Sequence, residues 1–338
     1  MQEAIQPLIS VVVPVFNIKE CIEYCLQSLL NQRCDNEYEI LCIDDGSTDG
    51  SGLLLDAAAE KSDKVKVLHK ENGGLSDARN YGVKNAAGSY ITFVDGDDIV
   101  SPYYISSLSA GLSFGDDVTV VGTHRLIKSS DDIDTISWGP GGTPKPIDKV
   151  DLLRGICFQK ILSSACFRLA KRDLYLDHPF PKGVVYEDTF ITVEHLEASS
   201  QIVFIDEPIY GYVSRANSIV NSKKERLSRC RQHSDAIDRF CDLASLYLPF
   251  DSDEQVTFRS IEYSRLWRHL DMVIDEPSGA KSIQVDIRRY IENHLRQLCL
   301  CPFVSKGNKA RFILLAKAPH FYRKFFQLYD RLVKGITL

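Results

Sequence analysis

The sequence predicts an α/β fold, a mainly parallel sheet flanked by helices, with a helical extension at the C-terminus. Three observations carry this: short apolar runs alternate with helical patterns through the first half, those runs are nearly continuous, and from Ser222 onward only helical patterning remains. Continuous apolar strands are the kind covered on both faces, and strand–helix alternation sets such strands parallel.

Leu8 to Phe16 forms the first strand, broken only by Ser10 and Pro14. Lys19 to Gln32 follows as a helix, with Ile22, Leu26 and Leu29-Leu30 at helical spacing. Ile40–Ile43 is the second strand, Ser51–Glu60 a helix, Val65–Leu68 the third strand, Ser76–Ala87 a helix and Tyr90–Val94 the fourth strand. Ser101-Pro102 supplies a capping Ser and a Pro at the first helical position, and Val118–Val121 is a further strand. Between Ser129 and Ile147 the composition shifts to Asp, Gly and Pro, including Trp138-Gly139-Pro140-Gly141-Gly142, which predicts a long surface loop at a ligand site. Ile202–Ile205 is a late strand. These elements suggest a domain over residues 1–221 and a helical region over 222–338.

The 338 residues are 44% apolar and 25% charged, the balance of a globular chain with room for a full core. No apolar stretch approaches the ~20 residues that cross a bilayer, and Met1-Gln2-Glu3-Ala4 lacks the start of a signal peptide, so a cytoplasmic protein is expected. A net charge of −6 argues against a nucleic-acid partner. The charge is uneven: eight Lys/Arg and one Asp from Pro302 to the end put a basic tail on an acidic body. Among ten cysteines, Cys21, Cys25, Cys42, Cys157 and Cys166 lie in apolar runs with no Cys-x-x-Cys pair, as reduced core thiols do. The eight His show no ligand spacing.

Chemistry concentrates in Asp95-Gly96-Asp97-Asp98, three carboxylates in four residues directly after a buried-type strand. Clustered carboxylates at the carboxyl edge of an α/β sheet suit a divalent cation and a nucleotide diphosphate. Asp and Gly are also ordinary turn residues, and Asp98 is equally placed to cap the next helix. Two other readings fail. The turn after strand one, Pro14-Val15-Phe16-Asn17, has no glycine for a dinucleotide fingerprint. Asp45-Gly46-Ser47-Thr48-Asp49-Gly50 opens like a calcium loop, but its twelfth position is Asp56 and a strand precedes it.

Ile9 to Asn17, Asp44 to Asp49, Asn72-Gly73-Gly74-Leu75-Ser76-Asp77-Ala78-Arg79-Asn80 and Asp95-Gly96-Asp97-Asp98 resemble the inverting family-2 glycosyltransferases of the GT-A fold. Phe180-Pro181-Lys182-Gly183, Tyr186-Glu187-Asp188-Thr189-Phe190, Ile205 to Tyr210 and Arg215-Ala216-Asn217-Ser218-Ile219 continue the likeness, which covers about residues 8 to 221. The resemblance implies that Pro14, Val15 and Phe16 wall a uracil pocket and that Asp45 accepts from the base N–H. It sets Asn72 and Arg79 against the nucleotide and its phosphates, and Asp95 with Gly96 on the ribose side. Asp97 would hold Mg²⁺ or Mn²⁺, and Asp98 either orders the loop or faces the acceptor. Of the pair Glu187-Asp188, Asp188 is the expected base for the acceptor hydroxyl and Glu187 the reserve. Arg215 and Ser218 match a segment near the phosphates.

Plainer roles stand beside each: Pro14 ends a strand, Asp45 shapes a turn, Arg79 lies on a solvated helix face, and Glu187-Asp188 cap a helix. One departure is Cys166-Phe167-Arg168-Leu169-Ala170, where many relatives carry Trp-x-Lys-Leu-Tyr; Arg168 stands at the Lys position with a different, planar geometry. In the tail, Arg311 to Leu315 and Phe321 to Phe326 mix bulky apolar residues with cations, as membrane-surface helices or packed helices with basic edges both do, and Pro319 separates two helices.

The expected activity is metal-dependent transfer of a sugar from a UDP-sugar to a glycan or lipid-linked acceptor in surface polysaccharide synthesis. The alternative is a non-catalytic nucleotide- or glycan-binding subunit. A sugar-nucleotide pyrophosphorylase would need a Gly-rich basic loop after Leu8, which is absent.

Overall fold

A computed structural model describes residues 8–214, 226–273 and 277–325, apart from the side chains of Ser130, Asp131 and Asp134. The chain divides into two compact units, Met1–Lys149 with Ser163–Ser218 and Val150–Leu162 with Ile219–Leu338.

The first unit is built on a nine-stranded sheet of β1 (Ile9–Val15), β2 (Tyr38–Asp44), β3 (Val65–His69), β4 (Tyr90–Phe93), β5 (Ile99–Val100), β6 (Val118–Ile127), β7 (Lys145–Ile147), β8 (Arg168–Lys171) and β9 (Gln201–Val213). Its order is β3-β2-β1-β4-β8-β6-β9-β5, with β7 paired to β9. Its helices are α1 (Ile22–Leu30), α2 (Ser51–Ala59), α3 (Leu75–Asn85), α4 (Tyr104–Ala110), α6 (Arg172–Asp177) and α7 (Glu187–Ala198); α5 (Lys149–Cys157) belongs, but for Lys149, to the second unit.

Every residue of β1 and β2 is buried, as their continuous apolar runs require. From β3 to β4 all pairings are parallel. Beyond β4 the sheet is mixed, because β8 enters antiparallel between β4 and β6. Four residues with cations at both ends gave no strand signal at β8. The chain leaves β1 toward β2 and β3 on one side and returns to pair β4 on the other, so β1 and β4 flank the switch point where open α/β sheets leave a crevice at their carboxyl ends.

Three local differences have identifiable causes. Helix α1 begins at Ile22 rather than Lys19, because Ser47 Oγ, Ser51 Oγ and Asp49 Oδ2 accept from the backbone N–H of Asn17, Ile18 and Lys19 at 3.1, 3.0 and 2.9 Å and hold that stretch in a loop. Helix α4 begins at Tyr104, since Ser101 Oγ accepts from Tyr103 N at 3.2 Å in a turn ahead of it. The expected loop after Ser129 contains a 3₁₀ turn, Ser130–Thr135, and strand β7, and it is anchored by Trp138 packing on Ile99, Ile127 and Val213.

In the second unit, α8 (Arg226–Ala244), α9 (Asp253–Leu270), α10 (Pro277–Leu300) and α11 (Lys306–Lys317) pack around Ile261, Leu266, Trp267, Ile287, Ile291, Phe312 and Leu315. Ser252 and Ser305 cap α9 and α11 by accepting from Gln255 N and Asn308 N. Helix resumes at Pro319 after a break at Ala318, as the proline predicts. All ten cysteines are free thiols, and Cys25, Cys42, Cys157 and Cys166 are buried.

Candidate active site

Val15 pairs with Asp44, so β1 and β2 end side by side. Pro14 and Val15 are buried there, and Phe16 stands 48% exposed at the rim. Asp45 is buried with all four acceptor positions of its carboxylate filled. Oδ1 accepts from Lys70 Nζ at 2.5 Å and Gly73 N at 2.9 Å; Oδ2 accepts from Gly74 N at 2.8 Å and Asn72 Nδ2 at 3.1 Å. Asp45 therefore shapes the Asn72-Gly73-Gly74 turn, and accepting from a base N–H requires one of these donors to give way. Gly46 has φ +77°, and a Cβ there would lie 3.0 Å from Asn72 N, so the turn tolerates little but glycine.

The acidic turn after β4 is drawn against the end of β1: a Cβ on Gly96 would meet Ile18 Cδ1 at 2.6 Å and Pro14 O at 3.1 Å. Asp98 orders this loop from below. Its carboxylate, 2% exposed, accepts from Tyr210 Oη at 2.6 Å and Val213 N at 2.8 Å, while Asp95 N donates to Tyr210 Oη at 3.2 Å. Burial, with Asp97 and Asp95 beside it, pushes Asp98 well above the usual carboxylate range. Asp98 thus takes the loop-ordering role rather than facing outward.

Arg79, set by the resemblance against the nucleotide and its phosphates, is ion-paired to three carboxylates. It projects from α3 into the interior, 1% exposed, rather than onto a solvated helix face. Nη1 donates to Glu187 Oε1 at 2.6 Å and Asp188 Oδ1 at 3.0 Å, and Nη2 donates to Asp95 Oδ1 at 2.9 Å. Its guanidinium lies 5.3 Å from the Phe180 ring and 5.8 Å from the Phe93 ring. Burial opposes its charge, but Asp188, Asp95 and Glu187 more than offset that and raise its pKa. The next residue, Asn80, fixes the neighbouring wall by a reciprocal pair with the Phe180 backbone, at 2.8 and 3.0 Å.

Glu187 and Asp188 open α7 without any side-chain cap bond, following Tyr186 in the left-handed region at φ 69°. A bulky residue held there is strained, a feature common at functional sites. The Asp188 side chain is 20% exposed and that of Glu187 9%, so Asp188 is the more open of the pair. Burial, then the charge of Asp188, pushes Glu187 up to about 7 against the pull of Arg79. Arg168 lies beneath α7, fully buried, where Nη2 reaches Thr192 Oγ1 at 3.4 Å and burial lowers its pKa. Thr192 Oγ1 in turn donates to the Asp188 carbonyl at 2.6 Å.

The structure therefore gathers Asp95, Arg79, Glu187 and Asp188 into one hydrogen-bonded cluster, with Asp97 in the adjoining turn. Asn72 and Asp45 form a second cluster at the end of β2. Arg215 and Ser218 lie outside the described residues. Sequence reasoning gave no site role to Lys70 and Tyr210, the partners that hold Asp45 and Asp98; Lys70 immediately precedes the Glu71-Asn72-Gly73-Gly74 turn, and Tyr210 ends the Ile205 to Tyr210 stretch of the family likeness.

No group of three or more His, Cys, Asp or Glu side chains in metal-binding arrangement occurs among the described residues. The donor chemistry still fits a hard divalent ion. Asp95, Asp97 and Asp98 share one turn, and Mg²⁺ is ordinarily held by one or two carboxylates completed by water and substrate phosphates. Asp97 lies half-buried on the turn that Asp98 anchors.

Residues 10–177 match the family model for glycosyl transferase family 2. The glycosyltransferase GlyG of Streptococcus pneumoniae is 34% identical over 225 residues, which span 64% of this chain and 74% of GlyG. The chain belongs to glycosyltransferase family 2. It spans 31% of another curated relative, a longer protein. Among solved structures, Staphylococcus aureus TarS 1–349 in complex with UDP-GlcNAc aligns with a TM-score of 0.57 and 17% identity over 86% of this chain and 91% of TarS 1–349. A mannosyltransferase from Pyrobaculum calidifontis, in complex with GDP-Man and Mn²⁺, aligns at 0.51 and 15% identity over 94% of this chain and 88% of that one. These likenesses establish the GT-A fold, and membership of the family establishes glycosyl transfer as the chemistry.

Proposed function

We propose that the chain moves a sugar, with inversion, from a UDP-sugar to a hydroxyl of a glycan or lipid-linked acceptor at the cytoplasmic side of the membrane. The observation that carries this reading is Arg79 bridging Asp95 on the donor side to Glu187 and Asp188 at the head of α7. One guanidinium thereby ties the nucleotide half of the site to its base.

Asp188 is the base in this reading, because it is the more exposed of the acidic pair. Its carboxylate takes the proton of the acceptor hydroxyl as that oxygen bonds to the anomeric carbon, and the bond from that carbon to the diphosphate breaks with its electrons leaving on UDP. A single displacement of this kind inverts the anomeric centre. Arg79 orients the Asp188 carboxylate, and Glu187, buried behind it, fixes Arg79 in turn. Asp95 faces the ribose, and Pro14, Val15 and Phe16 wall the base. A Mg²⁺ or Mn²⁺ ion on Asp97 would supply charge neutralisation for the departing diphosphate. UDP as the donor nucleotide is supported by the ligand in TarS, carried here as part of the proposal.

The test is a panel of UDP-sugars and GDP-sugars incubated with the protein and Mn²⁺, with nucleoside diphosphate release as readout. Release from a UDP-sugar is expected. Tight UDP binding with no turnover of any sugar, with or without acceptor, would favour a non-catalytic subunit instead.

A further inference from the structure

The end of α10 and the segment after it contain two kinds of apolar position, and the structure separates them. Phe312, Leu315, Ala316 and Tyr322 are fully buried, in one core with Leu266, Trp267 and Leu270 of α9 and Ile287 and Ile291 of α10. Tyr322 Oη donates to Ser264 O at 2.8 Å, and Arg323 pairs with Asp271 at 2.5 Å, so this stretch is packed structure. Yet Leu300 is 71% exposed, Phe303 62%, Ile313 44%, Phe321 70% and Phe325 54%.

Single exposed apolar side chains are normal on any protein. These recur with a pattern. Lys306, Ala310, Ile313 and Lys317 fall at i, i+4, i+7 and i+11, one outward stripe of α11, and Phe321, Lys324 and Phe325 share the outer face of the helix that follows. Residues 302–325 contain six Lys or Arg and no acid. Among the described residues, Lys306, Lys309, Lys317 and Lys324 have no carboxylate within ion-pair reach.

We infer that this outer face of α11 and residues 319–325 docks on an anionic lipid bilayer, the aromatic rings entering the headgroup boundary and the lysines meeting lipid phosphates. Aromatic and aliphatic side chains interleaved with Lys on a helix face match both layers of such a surface, apolar beneath and anionic above. Lysine stems lie along the apolar stripe while their ammonium groups reach the phosphates. A second copy of the chain docking by the same face would set its cations against their equivalents, which charge complementarity disfavours. No described helix is long and apolar enough to cross a membrane, so the contact lies in the surface plane. Because the buried face of the same helices already fixes them in the core, docking needs little further ordering of the backbone. The docking does not depend on the sugar-transfer reading, although it would hold the chain at the membrane that carries lipid-linked acceptors.

Truncation would remove core residues, so the experiment uses point variants of the full chain. Sedimentation is measured with vesicles of phosphatidylglycerol and phosphatidylcholine against phosphatidylcholine alone, at low and high salt. Wild type is expected to pellet with the anionic vesicles and less so at high salt, as screening demands. Phe321→Ser with Phe325→Ser, and separately Lys317→Glu with Lys324→Glu, should each lower partitioning by ~10-fold or more, since every buried ring and every apposed cation adds to binding. Unfolding midpoints and UDP affinity should stay at wild-type values in both, and Phe114→Ser, in the first unit, should pellet normally. Wild type that stays in the supernatant, or variants that pellet equally while folded, would overturn the docking face. Binding to soluble polyphosphate without binding to vesicles, or a dimer abolished by the same variants, would equally overturn it.

Discussion

Replacing Arg79 with Met removes the cation from three carboxylates while keeping an apolar stem of similar length between Phe93 and Phe180. In the wild type the guanidinium meets Glu187, Asp188 and Asp95 at 2.6, 3.0 and 2.9 Å, on a side chain that is 1% exposed. Removing one partner of a buried ion pair costs about 3–5 kcal/mol because the remaining charge is uncompensated. With three partners stranded, the upper end of that range applies near neutral pH, a large share of the ~5–15 kcal/mol that holds a domain folded. The loss should depend on pH. A carboxyl whose folded pKa is raised contributes stability that is present below its unfolded value and lost as pH rises through the folded one. Glu187 already sits at about 7 with Arg79 in place, and without the guanidinium it rises further. The deficit of Arg79→Met should therefore be small near pH 5 and grow toward pH 8. Arg79→Lys keeps the charge on a single nitrogen that cannot serve both positions held by Nη1 and Nη2, so it should lose less and show a shallower pH slope. Urea unfolding of the three proteins at several pH values measures this. A loss under ~1 kcal/mol, or one independent of pH, would refute the idea that the arginine charge holds the cluster.

Asp97→Asn should weaken Mn²⁺-dependent UDP binding at least ~10-fold in calorimetry, with the melting temperature unchanged, because an anionic oxygen ligand is lost from the cation site. Tyr210→Phe deletes the hydroxyl that donates to buried Asp98 and accepts from Asp95 N, and should cost about 1–3 kcal/mol in urea unfolding, the penalty of an unsatisfied buried group. Asp45→Ala removes one acceptor carboxylate from Lys70, Asn72 and the backbone N–H groups of Gly73 and Gly74 at once, so proteolytic cleavage around residues 70–77 should accelerate and UDP affinity fall.

The sheet was readable where local pattern determines structure. Strands β1, β2 and β4 are apolar runs that end in polar or acidic turns, and the parallel half of the sheet follows from them. Strand β8 was not readable, since its strand character comes from the neighbours that flank it, β4 and β6. Acidic residues announced a site, but their division of labour was hidden. Asp95, Asp97 and Asp98 look alike in sequence, and only the fold shows Asp98 tied to Tyr210 and Val213 while Asp95 meets Arg79. The Arg79–Glu187 contact joins residues 108 positions apart, a separation that no local pattern spans. In the tail, packed helix and membrane helix were posed as alternatives. Helical periodicity separates opposite faces, and burial of Phe312 beside exposure of Ile313 divides a packed face from the outward face proposed to meet lipid.

The most direct test of the proposed chemistry is sugar transfer and UDP affinity measured side by side for wild type, Asp188→Asn and Glu187→Gln, with an active UDP-sugar and an acceptor found by screening. Loss of a positioned general base predicts that Asp188→Asn binds UDP as wild type does but transfers ~10²-fold or more slowly, with Glu187→Gln less impaired. Near-normal transfer by folded Asp188→Asn with unchanged UDP affinity would contradict the assignment of Asp188 as the base.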